Sequence, residues 1–284
     1  MKRWACLATA ILLFSAGSLS GASFTIISTI DISGVVPGGG EGVVFNPNTG
    51  TLFVTQTDGV GSTIYQLTTA GALVGTPFTV PLESVEGISM APNGVNLLLT
   101  NSTSGGGVFE YTTSGNPVPS GTNIVTDPPS GDADGVVYHP GTNTIFVADD
   151  LDERIYEFSL TGNLLGSFST EDPPFPSAFD EPEGIAVDPV TGNLLIVDDS
   201  GGTRRLWEAT VTGALVTSFY LGGDPEGITV DPATRRFYVV DDRNELLIVG
   251  QISDIPEPSM LSLVGLGLVG LGLARWRRRR KGES

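Results

Sequence analysis

Residues 183–199 read EGIAVDPVTGNLLIVDD, and their internal period decides the fold. Gly184 to Val187 is a short apolar run of strand type. Asp188-Pro189-Val190-Thr191-Gly192 follows as a turn with proline at its second position, and Leu194 to Val197 is a second run ending on Asp198-Asp199. Beyond it, Arg205 to Thr210 predicts a third strand, and Gly213 turns the chain into a fourth, Ala214 to Tyr220. Four short antiparallel strands form one unit, and Gly and Pro break every unit too often for a helical repeat.

The same pattern occurs five times. EGVVFNPNTGTLFVTQ starts at Glu41, EGISMAPNGVNLLLTN at Glu86 and DGVVYHPGTNTIFVADD at Asp134, and EGITVDPATRRFYVVDD follows the first-quoted unit at Glu226. The spacings are 45, 48, 49 and 43 residues, the period of a blade repeat. The fold class expected is all-β, a β-propeller of five four-stranded blades. The last unit runs out after three strands, Gly227–Val230, Phe237–Val240 and Glu245–Gln251. Phe24 to Ile32 (FTIISTIDI) precedes the first unit and reads as the missing outer strand. Pairing the two would close the ring and leave no exposed sheet edge.

The ends read differently from this domain. Lys2 and Arg3, an apolar stretch from Ala5 to Phe14 and the small residues Ser20-Gly21-Ala22 form a secretory signal over residues 1–22. The mature chain is then expected to begin near Ser23. Residues 256–284 open on Pro256-Glu257-Pro258 and continue into an apolar run from Met260 to Ala274. The run stops at Arg275, Trp276, Arg277, Arg278, Arg279, Arg280 and Lys281. As a helix it would be roughly 22 Å long against a bilayer core of about 30 Å, with the basic cluster on the cytoplasmic side. A short membrane anchor and a segment destined for removal both fit. Between the two ends, residues 23–255 form one domain.

That domain has no lysine, six arginines (154, 204, 205, 235, 236 and 243) and thirty Asp and Glu. Such a surface repels nucleic acid and anionic lipid and favours divalent cations or cationic partners. The only cysteine, Cys6, falls in the signal, which leaves the domain without disulfides or a thiol nucleophile. His139 is the only histidine and stands in a turn before Pro140, where other units have Asn46 or Asp188. No nucleophile elbow accompanies it, and zinc sites needing several His are excluded.

Glu41, Glu86, Asp134, Glu183 and Glu226 hold one equivalent position, at the start of each innermost strand. In a propeller they would converge at one channel mouth. Five carboxylates there raise one another's pKa unless a cation sits among them, and hard oxygen ligands suit Ca²⁺. Alternatively, each acid caps its own strand turn. A second set, Asp149-Asp150, Asp198-Asp199 and Asp241-Asp242, aligns with Thr55-Gln56 and Thr100-Asn101; one of each pair would face the mouth or satisfy a turn amide. The loop at residues 171–182, EDPPFPSAFDEP, departs furthest from the repeat, and its Phe175 and Phe179 read as exposed residues for a partner contact.

Two resemblances follow from these residues. Pro256-Glu257-Pro258, a Gly/Leu-rich apolar helix and an Arg-rich end resemble the PEP-CTERM sorting signal of Gram-negative bacteria. The resemblance implies recognition by an exosortase-type membrane protease, removal of the tail, and delivery to the cell surface or an extracellular matrix. The Glu-Gly-Ile…Asp-Pro…Asp-Asp rhythm resembles NHL-like and SdiA-regulated-like propellers. The function expected is a monomeric binding module for surface polysaccharide or a surface protein. The alternative is a Ca²⁺-dependent propeller hydrolase of the lactonase, phytase or esterase kind.

Overall fold

A computed structural model of the protein describes residues 22–57, 61–103, 106–126, 129–176, 179, 181–200 and 204–254. The signal up to residue 21 and the tail from residue 255, with its predicted helix and basic end, lie outside the described residues. Within them, twenty strands form five antiparallel four-stranded sheets.

The first strand, β1 (Ala22–Asp31), stands apart from its sequence neighbours. Blade one comprises β2 (Val43–Asn46), β3 (Thr51–Thr57), β4 (Ser62–Thr68) and β5 (Phe78–Val80). Blade two comprises β6 (Ile88–Met90), β7 (Leu97–Asn101), β8 (Gly107–Tyr111) and β9 (Asn123–Val125). Blade three comprises β10 (Val136–His139), β11 (Thr144–Asp149), β12 (Arg154–Ser159) and β13 (Leu164–Ser169). Blade four comprises β14 (Pro182–Val187), β15 (Leu194–Asp198), β16 (Arg205–Ala209) and β17 (Leu215–Tyr220). Blade five takes β18 (Pro225–Val230), β19 (Arg236–Asp241) and β20 (Leu246–Asp254) from the end of the chain. Its outer strand is β1, paired antiparallel with β20 from Ala22↔Asp254 to Asp31↔Leu246. The ring is closed by the N-terminal strand, as the sequence predicts.

Five separate apolar cores lie at the five blade junctions. Between blades five and one, for example, Val43, Leu52 and Val54 meet Tyr238, Val240 and Leu247, and Phe45 stacks on Tyr238. Each innermost strand runs from a narrow mouth, where the five acids stand, to the proline-containing turns at the opposite, wider mouth.

The loop at residues 171–182 does not present its phenylalanines. Phe175 and Phe179 are 4% and 0% exposed. Phe179 stacks on Trp207 with ring centroids 5.0 Å apart, and Phe175 meets Phe179 edge-on at 5.2 Å. The expected exposure of the two rings is therefore incorrect. The rings fill the outer part of the core between blades three and four, among Phe146, Ile155 and Ile196, because burying an aromatic side chain outweighs anything an exposed ring gains.

Candidate functional site

All five equivalent acids arrive at one place. Glu41, Glu86, Asp134, Glu183 and Glu226, with Gly135 and Gly184, line a cavity of about 10 Å³ at the narrow mouth, about the smallest space that admits a single water. The glycine after each acid explains the tightness. A Cβ on Gly42 would lie 2.4 Å from the Glu86 carbonyl oxygen, on Gly87 2.1 Å from that of Asp134, and on Gly135 2.1 Å from that of Glu183. Gly184 meets the Glu226 oxygen at 2.3 Å, and Gly227 meets that of Glu41 at 2.6 Å. The series runs once around the ring and closes on itself. The Glu-Gly/Asp-Gly dipeptide is thus one device, in which the glycine lets neighbouring innermost strands touch and the acid caps the resulting pore.

The aligned acid pairs require a shift of register. In the strand ladder, Thr55 N–H donates to the Gly42 carbonyl, Thr100 N–H to that of Gly87 and Ala148 N–H to that of Gly135. Asp149 therefore matches Gln56 and Asn101, not Thr55 and Thr100. These matched residues are turn-binders. Asn101 Oδ1 accepts from Ser84 N–H (3.3 Å), Asp149 Oδ2 from Asp132 N–H (3.3 Å) and Asp241 Oδ1 from Asp224 N–H (3.2 Å). Asp198 accepts from Ser200 N–H at 3.0 Å and from Trp207 Nε1–H at 3.0 Å. The second member of each pair, Asp150, Asp199 or Asp242, joins the mouth.

Three more carboxylates gather there. Asp132, Glu181 and Asp224 stand two residues before the ring acids of blades three, four and five, where blades one and two have Gly39 and Ser84. An acid-x-acid-Gly pattern confined to the last three blades was the available signal. Carboxylate oxygens of Glu86, Asp132 and Asp134 all lie within 4.8 Å of one another, as do those of Asp199, Asp224 and Glu226. Both groups have the donor set and spacing of a hard-cation site.

The electrostatics follow from this crowding. Burial, then Asp242 and Glu86, push Glu41 up to about 7. Burial and the neighbouring Glu86, Asp150 and Asp149 push Asp132 to about 7. Burial and Glu181 push Asp199 to about 7, and burial with Asp199, Glu41 and Asp242 pushes Glu226 to about 9. Asp134 and Glu183 are also held well above the usual carboxylate range, chiefly by burial. Among the described residues, the one ion pair reaching this cluster is Arg204 to Asp224 at 3.4 Å.

The two members of an Asp-Asp pair should therefore respond oppositely to mutation. Asp198→Ala orphans the Trp207 and Ser200 N–H groups and is expected to cost about 1–3 kcal/mol in a urea titration. Asp199→Asn removes repulsion and is expected to raise the melting temperature at pH 8 in chelator.

His139 is distant from this mouth. It is buried in its turn, with Nε2 2.8 Å from the Gly192 carbonyl oxygen and Nδ1 accepting from Thr142 N–H at 3.1 Å, a stitch between blades three and four.

Residues 254–280 match the PEP-CTERM protein-sorting motif. The chain carries a PEP-CTERM sorting signal. The signal implies export, membrane anchoring before processing, and processing by an exosortase, a membrane protease. No curated protein matches the chain. Among solved structures, the glutaminyl cyclase of Myxococcus xanthus is similar over 83% of this chain and 98% of its own, with a TM-score of 0.61 and 16% identity. The nidogen/laminin complex is similar over 70% of each chain, with a TM-score of 0.50 and 17% identity. At identities this low the likeness shows a shared fold alone.

Proposed function

We propose that this PEP-CTERM protein is a binding module delivered to the cell surface or extracellular matrix, and that its acidic mouth holds a divalent cation, Ca²⁺ by its chemistry. Glu41, Glu86, Asp134, Glu183 and Glu226 are the inner ligands, and Asp132, Asp199 and Asp224 extend them on one side. The observation that carries the reading is a cavity with room for one water or ion, walled by five carboxylates from five blades. Isolated buried charges of one sign are costly unless protonated or paired with a cation. A cation held at the mouth can complete its coordination with oxygens of a polysaccharide or a partner protein.

A hydrolase would place its substrate on the same cation. The described mouth is narrow, and the lone histidine stands in a turn at the opposite end, which favours binding over catalysis. Hydrolysis of lactone, ester or phosphate substrates by the Ca²⁺-loaded protein would reverse that preference.

Delivery has its own test. Replacing Pro256, Glu257 and Pro258 with alanine is expected to leave the full-length form in the inner-membrane fraction of an exosortase-bearing host. Unchanged size and location of the mature protein would contradict the sorting role.

A further inference from the structure

The ring is polarised along its channel axis. At the wider mouth, opposite the acids, a cavity of about 390 Å³ is lined by Phe45, Met90, Tyr138, Val187 and Val230, with the prolines of the turns around its rim. The described carboxylates at this end are Glu110, Glu157, Asp188, Glu208, Asp231 and Asp254, and each is engaged within the face. Glu110 accepts from Asn93 and Asn96, Glu157 from Thr144, and Glu208 from Asn193 and the Ala22 N–H. Asp231 accepts from Ala233 and Thr234, while Arg235 pairs with both Asp188 and Asp254 at 2.6 Å. The other described carboxylates stand at the acidic end. In place of free acids, the turn tips here expose Val95 (60%) and Val190 (62%), and Arg236 is exposed beside them.

The first and last described residues lie at this same face. Ala22 opens β1 opposite Asp254, which closes β20, and β20 runs from the acidic end towards the apolar end. Five residues separate Asp254 from Met260, where the apolar run of the tail starts, a reach of roughly 20 Å at most. The segment that enters the membrane is therefore tied to a face on which, among the described residues, Asp254 is the one exposed acid, and it is paired with Arg235. The acidic end, which an anionic lipid surface repels, is on the far side.

We infer that the apolar-mouth face is a membrane-docking surface. In the anchored, unprocessed protein it lies on the bilayer, with the turn tips at Val95 and Val190 in the interface and the acidic mouth presented outward. The inference rests on the anchoring role of the tail and adds an orientation to it. Docking of this kind is weak without the tether, because two exposed valines bury little apolar area. Cutting the tail therefore releases the face as well as the anchor.

The test uses the full chain with Cys6→Ser in protein-free vesicles containing nitroxide lipids, carrying a polarity-sensitive fluorophore at Val95→Cys, Val190→Cys or, on the acidic end, Leu151→Cys. All three side chains are exposed, so the substitutions are not expected to disturb folding. Blue-shifted emission and strong quenching at positions 95 and 190, with solvent-like emission at 151, is the expected result. Equal signals at all three positions, or quenching at 151 alone, in protein that floats with the vesicles would overturn the docking surface and leave anchoring intact. Protein that fails to float would overturn the anchoring and the orientation together.

Discussion

Replacing Gly135 with alanine is expected to destabilise the domain by about 3 kcal/mol or more, or to prevent its recovery as folded protein. The added Cβ would lie 2.1 Å from the Glu183 carbonyl oxygen, 3.1 Å from the Ile185 nitrogen and 3.2 Å from the Ala148 Cβ. Two of these atoms are backbone of the next innermost strand, so no rotamer change relieves the clash. Blades three and four would have to separate, and in a closed ring that movement strains every other junction. Gly166 on β13 is the control. Nothing lies within 4 Å of its virtual Cβ, and Gly166→Ala is expected to shift stability by no more than about 1 kcal/mol. Equal urea midpoints for the two variants would show that the glycine collar is not what limits the pore.

In the presence of a chelator, the domain is expected to lose stability as pH rises from 5 to 8. The mouth carboxylates have unfolded values near 4, and folded values pushed to about 7 at Glu41, Asp132 and Asp199 and to about 9 at Glu226. Between those limits the folded state keeps protons that the unfolded chain has released, so stability falls with rising pH. The contribution is fully present below the unfolded values and is lost as pH passes the folded ones. Several of these groups are partly open to solvent, which reduces the effect; a fall of roughly 2 kcal/mol, about 5 °C in melting temperature for a domain of this size, is expected. Glu183→Gln plus Glu226→Gln should flatten the profile. An ordinary rise in stability over the same range would show that the carboxylates are neutralised in some other way.

The architecture was legible because the repeat states it several times over. The two-residue period, the Pro-containing turns and the acid-Gly start recur in all five units, and three strands at one end matched one at the other. The ring acids were legible for the same reason: equivalence in sequence becomes proximity when blades are arranged around an axis. Three features were hidden. The glycine beside each acid reads only as the first residue of a strand, since its need arises from the carbonyl of the neighbouring blade, far away in sequence. The Asp-Asp pairs fall one residue away from their apparent partners because Val197-Asp198-Asp199 and Val54-Thr55-Gln56 look alike until the ladder fixes their register. Phe175 and Phe179 sit among prolines and acids, which suggests exposure. Their partner Trp207 lies on the third strand further along the chain, and no local pattern reports that pocket.

The account rests on the acidic mouth being a divalent-cation site on an exported propeller, and calorimetric titration of Ca²⁺ into the full-length protein at pH 8 tests that directly. The predicted result is saturable binding accompanied by proton release, since a cation displaces the protons that the raised carboxylates hold, with binding abolished by Glu183→Gln plus Glu226→Gln. No binding at millimolar Ca²⁺, in protein whose melting temperature is also unmoved by Ca²⁺ or chelator, would contradict it and leave the five acids as caps of the channel.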